Sequence, residues 1–122
     1  MSKNLEQWHS FIEHPDPSIL DSILADNVIF HSPFVWTPKE GKAAATHILM
    51  TVSGVFEEFR YVREIVNEFD WCLEFEARMG DLSLRGVDLI GLGDDGRIVD
   101  FEVMIRPANA LQALGMEMGR RL

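Results

Sequence analysis

Two hydrophobic periods divide this chain, one helical and one of strands. From Asn4 to Glu13, Leu5, Trp8, Phe11 and Ile12 recur at spacings of three and four, the stripe of an amphipathic helix. His14-Pro15-Asp16-Pro17 stops it, because a residue before proline avoids helical backbone. A short second helix follows, with Pro17 and Ser18 at its start and Ile19, Leu20, Ile23 and Leu24 as its apolar face. Asn27–Ser32 reads as a strand built on Val28, Ile29 and Phe30 and closed by Pro33. The segment Pro33–Glu40 has two prolines and no period, so it is a loop.

Gly41 opens a third helix, Lys42–Phe56, with Ala44, Ile48, Leu49, Val52 and Phe56 inward. From Phe59 the period becomes two, and four strands fit: Phe59–Asn67, Trp71–Met79, Leu82–Leu92 and Arg97–Ile105. Gly80-Asp81 and Asp95-Gly96 are hairpin turns, since these residue types tolerate positive φ. Pro107 then suits the first turn of a terminal helix carrying Leu111, Leu114, Met118 and Leu122. The predicted order is α-α-β-α-β-β-β-β-α, an α+β fold in which one curved antiparallel sheet carries its helices on a single face.

The strand faces are uneven. Trp71, Leu73, Phe75, Ala77 and Met79 alternate with Cys72, Glu74, Glu76 and Arg78, so one face is buried and the other is solvated or forms an interface. Val99, Phe101, Val103 and Ile105 alternate in the same way with Asp100, Glu102, Met104 and Arg106. In Leu82–Leu92, however, Asp88 shares its face with Leu82, Leu84, Ile90 and Leu92. A carboxyl in that setting is desolvated, which favours the neutral acid, and such groups cluster at functional sites. Asp88 is therefore the candidate catalytic residue. The plainer alternative pairs it with Arg85 or Arg106 at a sheet edge.

Composition narrows the functions. The chain has 122 residues, the length of one domain (1–122), with 11 Lys and Arg against 20 Asp and Glu, a formal charge of −9. That acidity argues against nucleic acid, whose affinity comes from clustered cations. Arg120-Arg121 is too little for a polybasic membrane anchor, and no run of about 18 apolar residues or signal-peptide core is present. Cys72 is the single cysteine, which leaves no internal disulfide and no zinc framework. The expectation is a soluble cytoplasmic protein with neither nucleic-acid nor membrane partner.

The segment Trp8–Ser32, the Gly41 helix and the strand run through Asp94-Asp95-Gly96-Arg97-Ile98-Val99 resemble the nuclear transport factor 2-like superfamily. Within it the chain is most similar to SnoaL-like and ketosteroid-isomerase-like small proteins. The likeness spans nearly the whole chain but rests on scaffold motifs such as Leu24-Ala25-Asp26-Asn27-Val28. It implies a cone, of nuclear transport factor 2-like (cystatin-like) α+β type, in which a bent sheet wraps around the N-terminal helices and leaves an apolar pocket open at one end. It also implies an apolar small-molecule ligand and a homodimer formed through the outer sheet face.

The steroid isomerases of that family use three pocket residues. Their general-base Asp precedes a Pro at the end of the first strand, where this chain has Ser32 before Pro33. Their oxyanion-hole Tyr on the first helix falls at Trp8, and their second donor, an acid kept neutral by apolar surroundings, falls at Asp88. One of the three is retained. Serine does not abstract a carbon-bound proton without a base of its own, and Trp offers only an N–H. The epoxide hydrolases' Asp-Arg-Asp set fits less well, since Arg85 and Asp88 point to opposite faces of a regular strand. A cyclase-like pairing of Asp88 with His31 or His9 stays open.

Of the four histidines, none has metal-helix spacing on a common face, so no metal is expected. No cofactor fingerprint occurs either, and chemistry would run on side chains alone. His31 reaches a pocket only through a bulge before Pro33. Phe75 and Phe101 belong to an aromatic set converging on the proposed cone, and Trp36 stands in the loop at its mouth. Expected ligand contacts are therefore Trp8, His31, Ser32, Trp36, Phe75 and Phe101. Two functions fit: proton transfer on an apolar carbonyl compound, as in an isomerase, cyclase or hydrolase, or a non-catalytic binding or dimerisation module.

Overall fold

The computed structural model describes residues 3–122. Helix α1 (Lys3–Glu13) buries Leu5, Trp8 and Phe11, the predicted stripe. Asp16 caps α2 (Pro17–Ile23) by accepting a hydrogen bond from the Ser18 amide at 2.8 Å. Strand β1 (Leu24–His31) begins three residues before the predicted start, so Leu24 leaves the helix and enters the core as a strand residue. Within the expected loop, the two-residue strand β2 (Lys39–Glu40) pairs with β1.

Helix α3 (Lys42–Ser53) follows Gly41, whose φ of 100° suits glycine. It ends at Gly54, before the predicted Phe56, and buries Ala45 and Leu49 while Ala44 is half-buried. Strands β3 (Glu57–Val66), β4 (Asp70–Met79), β5 (Leu82–Leu92) and β6 (Ile98–Arg106) form an antiparallel meander, and α4 (Ala108–Arg121) follows Pro107.

The curved, unclosed sheet has the order β2-β1-β6-β5-β4-β3, and the α+β class and element order are those expected from the sequence. Two details depart from it. Strands β1 and β6 pair in parallel, because the chain between them runs through α3 and the meander and returns in the same direction. The register also shifts where Leu92 meets Ile98. That shift breaks strict alternation, so Ile98 is buried with Phe101 and Val99 is only half-buried.

The concave face of the sheet and the helices share the core. Trp8, Phe11, Leu20, Ile23, Phe30, Leu73 and Phe101 form its closed end. On α4, Leu114 and Met118 pack with Val55 and reach Val52, Phe56 and Ile105. Gly86 has no room for a Cβ, because the Phe75 ring and the Met104 carbonyl already occupy that position. This close approach lets Phe75 lie flat over β5.

Candidate functional site

The helices and the concave sheet face enclose a cavity of about 110 Å³. Its wall is aromatic and aliphatic, with Trp8, Phe30, Phe34, Phe56, Phe59, Phe75 and Phe101 contributing rings. Most of these rings are fixed by one another. Phe30 stacks on Phe101 at 5.4 Å, Phe59 on Phe75 at 4.8 Å, and Trp8 meets Phe101 edge-on at 5.3 Å. Asp88 is the one ionisable side chain in this lining among the described residues.

Asp88 comes inward from β5 between Leu73 of β4 and Val103 of β6, and only 6% of its surface is exposed. Burial pushes its carboxyl from 3.8 up to about 7, against a hydrogen bond from Tyr61 that favours the ionised form. Tyr61 Oη donates to Asp88 Oδ2 at 2.6 Å, and Trp8 Nε1 donates to Tyr61 Oη at 2.8 Å. An indole N–H can only donate, so the phenolic proton must point at Asp88. Oδ2 is thereby an acceptor, and the proton of the neutral acid belongs on Oδ1. Burial, and after it the negative charge of Asp88, holds the Tyr61 hydroxyl well above its ordinary pKa, so Tyr61 stays protonated.

Sequence reasoning missed Tyr61, although it is the only tyrosine in the chain and shares the period-two face of Phe59. A register shift between Tyr61 and Arg63 explains why the face ends there. Past it, Arg63 turns outward to Glu74 at 3.0 Å, and Glu64 meets His9 of α1 at 2.9 Å. His9 is thus held by Glu64 and does not reach Asp88.

The other predicted residues divide. Trp8, Ser32, Phe75 and Phe101 line the cavity together with Asp88. His31 and Trp36 do not. His31 follows the outward parity of β1, whose pairing with β6 stays in step from Ile29 to His31, and bonds Asp100 at 2.9 Å. Trp36 is 97% exposed and borders an outer groove. Ser32 lines the wall, but its Oγ accepts from the backbone amides of Phe34 at 3.3 Å and Val35 at 3.4 Å, so it fastens the loop. The edge pairing of Asp88 with arginine is also absent, since Arg85 bonds Glu76 at 2.5 Å across the outer face.

No group of three or more metal-ligating side chains occurs among the described residues, and none of their helices is long and apolar enough to cross a membrane. Chemically, the site can offer one hydrogen bond from a neutral acid, or one carboxylate, to a molecule otherwise surrounded by hydrocarbon and by the hydroxyls of Ser32 and Ser53, both bonded to backbone.

A scan against protein-family models finds no match, and a search of curated proteins finds none. Solved structures do match. A steroid delta-isomerase from Pseudomonas aeruginosa is 47% identical over 97% of this chain and 88% of its own, with a TM-score of 0.93. A protein with a cystatin-like fold from Silicibacter pomeroyi is 36% identical over 99% and 86%, with a TM-score of 0.94. A nuclear transport factor 2-like protein from Mesorhizobium loti, 18% identical over 86% and 89%, shares the fold with a TM-score of 0.76. The open curved sheet closed by helices, and these likenesses over nearly its full length, place the chain in the nuclear transport factor 2-like superfamily.

Proposed function

We propose that this SnoaL-like, ketosteroid-isomerase-like domain binds an apolar, carbonyl-bearing small molecule and polarises its carbonyl through neutral Asp88. The observation that carries the reading is one buried carboxyl in an otherwise apolar cavity, its Oδ2 occupied by Tyr61 and its Oδ1 left for a ligand. A hydrogen bond from Oδ1 strengthens as negative charge develops on the carbonyl oxygen, the condition for lowering an enolisation or addition barrier. The 47% identical steroid delta-isomerase from Pseudomonas aeruginosa supports the same class of chemistry.

Size and composition limit the substrate. An apolar cavity of roughly 150 Å³ is known to hold benzene. The 110 Å³ here is smaller, so it takes at most one small ring and no four-ring steroid in this conformation. Ser32 stands where the isomerases carry their base, and its hydroxyl is engaged by the loop. Proton removal then falls to solvent, to the ligand itself or to Asp88 when ionised.

Acetophenone tests the reading, being one ring with a carbonyl and exchangeable α-hydrogens. Binding to the wild type should be saturable, and Asp88→Leu, which removes the donor at similar volume, should weaken it about tenfold or more. Deuterium incorporation at the α-carbon should be faster with the wild type than with the variant. Binding unaffected by Asp88→Leu would refute the reading. Asp88-dependent binding without exchange would mark a binding module, which the serine at position 32 already favours.

A second reading concerns the outer sheet face. Arg63–Glu74 and the Arg60–Glu76–Arg85 cluster pair their charges within the chain, leaving Ile65, Cys72, Val87 and Met104 as an apolar strip. Ile65 is 61% exposed. A second copy fits such a self-neutralised surface, which would make the protein a homodimer. Light scattering at working concentration should give twice the chain mass, and Met104→Glu should halve it. A monomeric wild type would exclude the dimer.

A further inference from the structure

The cavity stops at one side chain. Phe34 lines both the 110 Å³ cavity and a separate outer groove of about 380 Å³, which also touches Trp36, Met104 and Leu111. Ser32, Pro33, Val103 and Ile105 border both spaces as well, so the two are neighbours across the Phe34 ring. That ring is 39% exposed and takes no part in the ring–ring contacts that fix Phe30, Phe56, Phe59 and Phe75. It rests on Gly115 of α4, where a Cβ would stand 3.1 Å from Phe34 Cδ1. The backbone behind it is held by the Ser32 hydroxyl, and its solvent-facing side is open.

We infer that Phe34 is a movable partition and the specificity-determining residue of the site. Displacing it joins cavity and groove into one channel. The joined space falls in the range of roughly 300–1,000 Å³ typical of small-molecule sites, whereas the inner cavity alone does not. The matching ligand is an elongated molecule of at least two rings. Its carbonyl reaches Asp88, and its apolar body passes position 34 to lie against Trp36 and Leu111. Glu102 beside the groove disfavours an anionic outer end, so the outer part is neutral. This inference rests on the ligand-binding reading above and adds the length of the ligand to it.

Acetophenone and 4-acetylbiphenyl form a matched pair, one ring and two rings in line on the same methyl ketone. Wild type should bind 4-acetylbiphenyl about tenfold tighter than acetophenone, with both dependent on Asp88. Phe34→Ala should shift the two in opposite directions. Affinity for 4-acetylbiphenyl rises because no population is spent holding the partition open, and affinity for acetophenone falls because its cavity loses a wall. Trp36→Ala, at a site too exposed to affect folding, should weaken the biphenyl more than the single ring.

Loss of affinity for both ketones alike in Phe34→Ala would overturn the inference, as would an unchanged ratio in Trp36→Ala. If wild type binds acetophenone through Asp88 and not 4-acetylbiphenyl, the partition is a fixed wall and this inference alone fails. If acetophenone binding is indifferent to Asp88→Leu, the underlying reading fails first.

Discussion

The Tyr61 hydroxyl donates a 2.6 Å hydrogen bond to Oδ2 of Asp88, and Trp8 fixes its direction from behind. The three residues come from β3, β5 and α1, so the cone itself assembles the relay. Its consequence is orientational. The acid proton is confined to Oδ1, the oxygen that Tyr61 leaves for a ligand.

Stability should fall as pH rises through neutrality. Below about pH 4 the Asp88 carboxyl is protonated whether the chain is folded or not, and burying it neutral is cheap. As pH climbs toward 7 the unfolded chain ionises first, and the fold progressively loses that advantage. A rise from 3.8 to about 7 corresponds to a loss of up to about 4 kcal/mol. Urea unfolding of wild type and Asp88→Asn should agree near pH 3. At pH 8 the wild type should be the less stable by a few kcal/mol, and parallel curves would show that Asp88 titrates normally.

Tyr61→Phe should move the Asp88 midpoint upward, because it deletes the one hydrogen bond that favours the carboxylate. The pH above which acetophenone affinity declines should rise with it. The variant also strands the Trp8 N–H, at a cost of about 1–3 kcal/mol. Trp8→Phe leaves Tyr61 bonded to Asp88 but frees the phenolic rotor, so it should broaden ligand preference more than it shifts that midpoint. Equal pH profiles for wild type and Tyr61→Phe would remove Tyr61 from the site.

Gly86→Ala should be damaging far beyond its single methyl. The new Cβ meets the Phe75 ring and the Met104 carbonyl, one an aromatic wall of the cavity and the other backbone. Overpacking of this kind costs about 1–3 kcal/mol, read as a lowered thermal midpoint. Gly119→Ala, where nothing lies within 4 Å of the added Cβ, should be neutral or slightly stabilising. A similar effect at both positions would argue against the close β4–β5 packing described here.

The fold was legible because each strand of the meander carries one apolar face, and Asp88 was conspicuous because it breaks such a face between Leu84 and Ile90. What escaped the sequence lies where regular alternation fails. A register shift beyond Tyr61 ends its face, and another at Leu92 turns Ile98 inward in place of Val99. The parallel β1–β6 pairing has no local signal, since it joins residues about seventy positions apart. Trp36 was expected at the pocket mouth because it stands in a loop bounded by prolines, and that loop holds it in solvent beside the outer groove.

On this reading Asp88 is about half protonated near pH 7 and meets the ligand as the neutral acid. Carbon-13 NMR titration of its side-chain carboxyl, with and without acetophenone, tests it most directly. A midpoint near 7 that moves upward when acetophenone is bound is the expected result. A midpoint near 4, unmoved by the ligand, would contradict it.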